Sequence, residues 1–417
     1  MKGTRIALPL AFLAAAAAAR AEFFHSPMVR LGSELDLFFT AKARAEYDDN
    51  LFLGRPGTLP ESGAYYDLIP GIELEYGKDL PLTGSFAISR RYRTFFDSKL
   101  RNLDDEQDAY QFKGSFEMGG PLRVEAAATY AETARNTPEE SALAGGGTID
   151  GTLLRQTVYA QSVKALYQFT EKTSGGLGVR HSSNRYDPIA RATPPPDFNT
   201  FGLREYDSWA IPVDARYKLT EKLSVGLALE YGESELHEAR PLSAYLDTIE
   251  RELANLTFNW MVTDKLDSEL RVGVIRSTYQ NTGFSNTSPS FSLRLSHSTT
   301  EKINQGLIIA QDATAAPNGG LGDSFQVGYD FNYNNSDAFR TFFRATYSES
   351  NVLSGNVLSA AGSAVNRIDV KSANAALGVS YAPDTHWVFS ADYSYTTNIE
   401  PGDYDVNRVS LEAAFRW

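Results

Sequence analysis

From about residue 37 to its last residue, this chain repeats one pattern. Apolar and polar residues alternate in short runs, and turn-forming residues separate the runs. Successive side chains of a strand point to opposite faces, so a period of two gives each run one apolar and one polar face. The last run is a clear case. Val409, Leu411, Ala413, Phe415 and Trp417 share one face, and Arg408, Glu412 and Arg416 share the other. A helix, with its period of 3.6, has no use for this spacing. The pattern commits the chain to an all-β fold of antiparallel hairpins.

Runs near 37–48, 66–76, 84–96, 108–118, 122–133, 157–169, 176–186, 207–219 and 222–232 predict the first half of the strands. Runs near 252–262, 266–279, 288–298, 303–312, 324–334, 338–348, 368–381, 386–397 and 406–417 predict the second half. The run 303–312 is the weakest, and 233–250 is ambiguous. The connections alternate in length. Short ones, such as Gly119-Gly120-Pro121, Thr220-Glu221-Lys222, Thr263-Asp264-Lys265 and 382–385, fall between long ones at 134–155, 187–205, 233–250, 280–287 and 349–366. Short turns at one end and long loops at the other describe a transmembrane up-and-down antiparallel β-barrel of about 18 strands, with short periplasmic turns and long extracellular loops. A soluble sandwich gives no reason for such regular alternation.

Energetics assign the faces. In a membrane barrel the apolar face meets lipid and the polar face lines the interior, because Arg or Lys at the lipid midplane costs about 2–4 kcal/mol. Ring closure leaves no strand edge unpaired, as lipid requires. Mean hydropathy is negative, but alternating strands hide from a hydropathy window.

The N-terminus reads as a secretory signal, 1–21. Lys2 and Arg5 precede an apolar stretch from Ile6 to Ala19, and Ala19-Arg20-Ala21 supplies an A-x-A cleavage site. Residues 22–34 are expected to form a short periplasmic N-terminal segment, as a tail or an inward plug, and 35–417 the barrel. Cys is absent, which excludes disulfides and thiolate metal sites. Formal charge is −13, and losing Lys2, Arg5 and Arg20 takes it to −16. So acidic a chain is no partner for nucleic acid. The expected localisation is the bacterial outer membrane, with its lipid as the immediate partner.

Charged residues on the polar faces of neighbouring strands are the candidate site. Lys42 and Arg44, then Glu73 and Glu75, then Arg91 and Arg93 run basic, acidic, basic. Lys113, Glu117, Arg123 and Glu125 extend the series, and Arg408, Glu412 and Arg416 should close beside the first strand. Such a ladder selects solutes by charge, or stiffens the wall as a salt-bridge network. The pairs depend on register, which the sequence leaves open. Asp48-Asp49-Asn50 and Asp104-Asp105-Glu106 read as turn chemistry, with Ca²⁺ binding as the less favoured use. His25, His181, His237, His297 and His386 are scattered, and no hydrolase or nucleotide-binding motif is present. No enzyme, cofactor or metal site is expected.

Two resemblances add to this. The last strand, with its terminal Trp417, resembles the C-terminal signal of outer-membrane barrels, which usually ends in Phe. That implies recognition of Val409, Leu411, Ala413, Phe415 and Trp417 by the barrel-assembly machinery. Ala43-Arg44-Ala45-Glu46-Tyr47-Asp48-Asp49-Asn50-Leu51-Phe52 resembles the opening strand of the β-barrel porin 2 family, in which a Tyr-Asp-Asp-Asn-hydrophobic-Phe pattern often starts the barrel. Several members accompany exopolysaccharide systems. The resemblance therefore implies an outer-membrane exit pore, with polysaccharide and a periplasmic polysaccharide export protein as partners. A general diffusion porin for small solutes and a structural or adhesive barrel remain alternatives. Sugar stacking requires inward aromatics, and candidates such as Phe95 and Tyr279 are few.

Overall fold

The computed structural model describes residues 28–32, 34–51, 62–78, 80–117, 119–134, 152–190, 205–237, 248–280, 283, 285–315, 321–353, 367–400 and 404–417. The signal region 1–21 and the centres of the longest loops, including Gly145-Gly146-Gly147 and Pro194-Pro195-Pro196, lie outside the described residues. The strands are β1 (Val29–Leu31), β2 (Leu35–Asp48), β3 (Gly63–Tyr76), β4 (Leu82–Phe95), β5 (Asp105–Glu117), β6 (Leu122–Ala134) and β7 (Thr152–Gln168). Next come β8 (Thr173–Ala190), β9 (Glu205–Lys218), β10 (Leu223–His237), β11 (Thr248–Thr263), β12 (Leu266–Tyr279) and β13 (Ser285–Thr300). The last are β14 (Ile303–Ala315), β15 (Leu321–Asn334), β16 (Phe339–Leu353), β17 (Arg367–Tyr381), β18 (Trp387–Glu400) and β19 (Tyr404–Arg416).

From β2 onward, each strand pairs antiparallel with the next, and β19 pairs back onto β2. The sheet counts nineteen strands, of which β1 stands outside the ring, so eighteen close it. At the seam, Phe39 and Trp417 exchange both backbone hydrogen bonds, at 2.7 and 3.0 Å. Where β19 ends, β1 takes over the free edge of β2, pairing Val29 with Leu37 and Leu31 with Leu35. This part of the 22–34 segment extends the wall, and Arg30 pairs with Asp36 at 2.9 Å. The predicted weak strand is β14, a full member of the ring.

Both ring termini and the short turns 77–81, 118–121, 169–172, 219–222, 264–265, 301–302, 335–338 and 382–386 lie at one end. Four consecutive turns at that end share one chemistry. Thr170, Thr220, Thr263 and Thr300 each accept, through Oγ1, the backbone N–H of the Lys two residues on, at 3.2 Å. A Thr hydroxyl so placed stabilises a tight turn. Lys222 then reaches Asp264 of the following turn at 3.0 Å, and Lys265 donates to the Thr299 carbonyl at 3.2 Å. At 382–386, Asp384 accepts the backbone N–H groups of His386 and Trp387, which hold its carboxyl below the usual carboxylate range.

Exposed large apolar side chains follow the predicted outer parity on β2–β5, β7–β12 and β17–β19. Examples are Phe39, Leu68, Phe86, Phe112, Val163, Leu177, Val213, Leu229, Leu256, Val274, Leu377, Phe389 and Leu411. An apolar outward face of this kind is the surface lipid requires. At the long-loop end the wall carries a small core of Leu51, Tyr65, Phe95, Leu100, Leu103 and Leu153. Leu100 and Leu103 come from a 3₁₀ helix, Ser98–Leu103, capped by Asp97, which accepts the Lys99 N–H at 2.9 Å.

Candidate functional site: the lumen wall

On the concave side of a barrel, side chains converge, so residues two strands apart can meet. Several ion pairs do so and thereby mark the lumen. Arg416 of β19 reaches over β2 to Glu73 and Glu75 of β3, at 2.9 and 2.5 Å. Arg155 of β7 reaches over β6 to Asp105 of β5. Lys164 of β7 reaches over β8 to Asp214 of β9 at 2.6 Å, and Arg180 of β8 reaches over β9 to Glu230 of β10.

The closure seam carries the densest network. Glu46 binds Arg44 at 2.6 Å and Arg408 at 3.0 Å, and it accepts the Tyr65 hydroxyl at 2.5 Å. Arg408 also holds Asp48 at 2.6 Å. On the far side of Tyr65, Arg93 lies 4.1 Å over the ring and makes a two-pronged contact with Asp67, at 3.0 and 3.2 Å. Arg91 joins at 3.7 Å from Asp67 and donates to Gln107 at 3.1 Å. Asp105, bonded by Gln107 and Arg155, ends the chain of contacts. Asp48, Asp67 and Asp105 have almost no exposed side-chain surface. Buried carboxylates need such partners, because leaving water uncompensated costs several kcal/mol.

The candidate residues thus divide by height. Arg44, Arg91, Arg93 and Arg408 belong to the seam network. Glu412 stands directly across from Arg44, and Lys42 lies between Ala414 and Ile69. Near the short-turn end, Arg416 holds Glu73 and Glu75 and packs 3.6 Å over the Phe38 ring. Arg123 pairs with Glu125 at 3.0 Å and Glu117 at 3.5 Å. Lys113 belongs to no such pair. Val409, Leu411, Ala413, Phe415 and Trp417 occupy the outward parity of β19, with Trp417 half exposed.

The sequence reading missed two kinds of participant. One is the partner carboxylates Glu46, Asp48, Asp67, Asp105, Asp214 and Glu230, with Arg155, Lys164, Arg180 and Arg251. Most share the polar parity of predicted strands, which was the available signal. The other is glycine. Lys164 and Asp214 meet across Gly176, where a Cβ would stand 2.7 Å from each. Asp330 lies over Gly306, Phe342 over Gly378 and Asn255 over Gly273. Glycine at these inward positions lets a neighbour's side chain lie flat against the wall instead of projecting into the lumen.

The rim acids are engaged in turn chemistry. Asp48 accepts the Asn50 N–H at 2.9 Å, Asp49 holds the Asn407 side chain at 2.7 Å, and Asp104 accepts the Phe95 N–H at 2.8 Å. Among the described residues no group of three or more metal-ligating side chains stands together. Phe95 and Tyr279 do not offer a stacking surface. They are buried, as are Phe38, Tyr65, Tyr186, Tyr206 and Tyr404. Phe342 lies beneath Arg344, 4.9 Å from its ring.

Neither a family model nor a curated protein matches this chain. Among solved structures it is similar to Pseudomonas aeruginosa OpdQ, at 12% identity and a TM-score of 0.46 over 92% of this chain and 98% of that one. It is similar to Acinetobacter baumannii OccAB4 at 11% identity, with a TM-score of 0.46 over 93% and 100%. A BenF-like porin from Pseudomonas fluorescens Pf-5 aligns at 12% identity, with a TM-score of 0.45 over 92% and 99%. Overlap this loose carries no weight for function.

Proposed function

We propose that the chain is an outer-membrane channel that passes small hydrophilic solutes. The observation that carries this reading is the inner wall. Many of its side chains are polar or charged, and ion pairs and glycine fold several of them flat against the strands. A ring of eighteen strands is wide enough for an aqueous path. The apolar exterior, the signal-like N-terminus and the aromatic C-terminal strand support an outer-membrane address.

An exit pore for polysaccharide is the weaker reading. Sugars stack on exposed aromatic faces, and the named inward aromatics are buried or covered by Arg344. The wall instead offers hydroxyls, amides and paired charges, which suit a passing solute that keeps part of its water. Catalysis plays no part in this reading. Liposome swelling tests it. Vesicles holding the folded protein should swell in small sugars and amino acids, at rates that fall as solute size rises. Swelling no faster than in protein-free vesicles would refute the channel.

A further inference from the structure

A cavity of about 800 Å³ indents the inner wall toward the short-turn end. Its lining includes Arg30, Glu75, Lys113, Arg123, Glu125 and Lys164, among other polar groups. Most of its charges are matched. Arg30 is held by Asp36, Arg123 by Glu125, Lys164 by Asp214, and Glu75 by Arg416. Lys113 is the exception on the strands of this cavity. It is exposed and, among the described residues, has no ion-pair or hydrogen-bond partner.

Its neighbours share one property. In register, Ser85 of β4 faces Lys113 across the ladder and Thr83 faces Ser115. The three hydroxyls line the same cavity and, like Lys113, have no side-chain partner among the described residues. The carboxylates across the ladder from two of these hydroxyls are already engaged. Glu75, beyond Ser85, holds Arg416, and Glu125, beyond Ser115, holds Arg123. Lys78, in the turn after β3, lines the cavity as a second cation with no ion pair among the described residues. An unmatched cation beside three hydroxyl donors is complementary to an oxyanion, because charge-assisted hydrogen bonds are about twice as strong as neutral ones.

We propose that Lys113, with Thr83, Ser85 and Ser115, forms a binding subsite for small solutes bearing a carboxylate or phosphate group. The subsite rests on the channel reading, since a solute reaches Lys113 only through the lumen. Anions pause here between the paired wall above and the mouth below, held by one charge and released on exchange with water.

Equilibrium binding to the full-length folded protein in detergent tests the subsite without requiring conduction. Succinate and inorganic phosphate are titrated by calorimetry into the wild type, Lys113→Gln and Lys113→Arg. The wild type and Lys113→Arg should bind at least one of them, and Lys113→Gln about tenfold more weakly. Binding of succinate alone or phosphate alone supports the subsite and names its oxyanion. No binding by the wild type, or equal binding by Lys113→Gln, overturns it. A protein that binds but leaves vesicles unswollen retains the subsite and loses the channel.

Discussion

Glu46 has no exposed side-chain surface, and it answers two guanidinium groups and a phenol at once. Glu46→Gln keeps the shape and removes the charge, so Arg44 and Arg408 lose their shared counter-ion. We expect about 3 kcal/mol of lost stability, read as a lower midpoint in urea unfolding of the detergent-solubilised barrel. An unchanged midpoint would show that water already satisfies this network. Two glycines separate stability from passage. A Cβ at Gly273 collides with the Ala254 backbone carbonyl, which cannot yield without moving the strand. A Cβ at Gly306 first meets the Asp330 carboxylate, the end of a side chain that can swing into the lumen. Gly273→Ala should therefore lower stability by about 1–3 kcal/mol. Gly306→Ala should spare stability and reduce conductance, as planar-bilayer recording would show. The sequence placed the charged residues on one parity of their strands. It could not show which met which, because partners such as Arg416 with Glu73 or Lys164 with Asp214 are two strands apart.

At the scale of strands and turns, alternation was legible wherever lipid enforces it. The short turns were legible too, and their Thr-acid-Lys repeat is printed in the chain. Strand ends were harder to read. The stretch 187–205 looks like a loop, yet β8 runs to Ala190. Likewise 233–250 looks like a loop, yet β10 runs to His237. Above the lipid, the outer face no longer needs apolar side chains, so the pattern fades while the hydrogen-bond ladder continues. There the outward Asp207 binds Arg185 at 2.9 Å and His237 at 2.5 Å. The 3₁₀ helix at Ser98–Leu103 has no period-two mark at all. Face assignment gives a paired test. Val179→Arg places a charge on the outward face and should cost about 2–4 kcal/mol near the midplane. Ser182→Arg, on the inward face of the same strand, should be tolerated. The folded fraction recovered from membranes would compare them, and equal recovery would contradict the assignment. Asp384 gives a pH test. Its lowered pKa means its support for the 382–386 turn is complete above the ordinary carboxylate pKa of about 4 and fades as pH falls through the lower folded value. The protection factors for amide exchange at His386 and Trp387 should fall only in that acid range.

For the whole molecule, the ring is closed by the two ends of the chain. Trp417 and Phe39 exchange backbone hydrogen bonds, Arg408 ties β19 to Asp48 of β2, and Arg416 reaches on to β3. β1 covers the length of β2 that β19 leaves open. The overall charge of −13 is a poor guide to the lumen, where cations and carboxylates largely pair. A wall of flat-lying, paired side chains suits an aqueous path along the axis, and a continuous aqueous path is the central claim of the proposed function. Single-channel recording of the purified, folded protein in a planar bilayer tests it most directly. Discrete conductance steps that scale with bulk salt conductivity are predicted. Barrels shown to be inserted and folded that pass no current would contradict the claim.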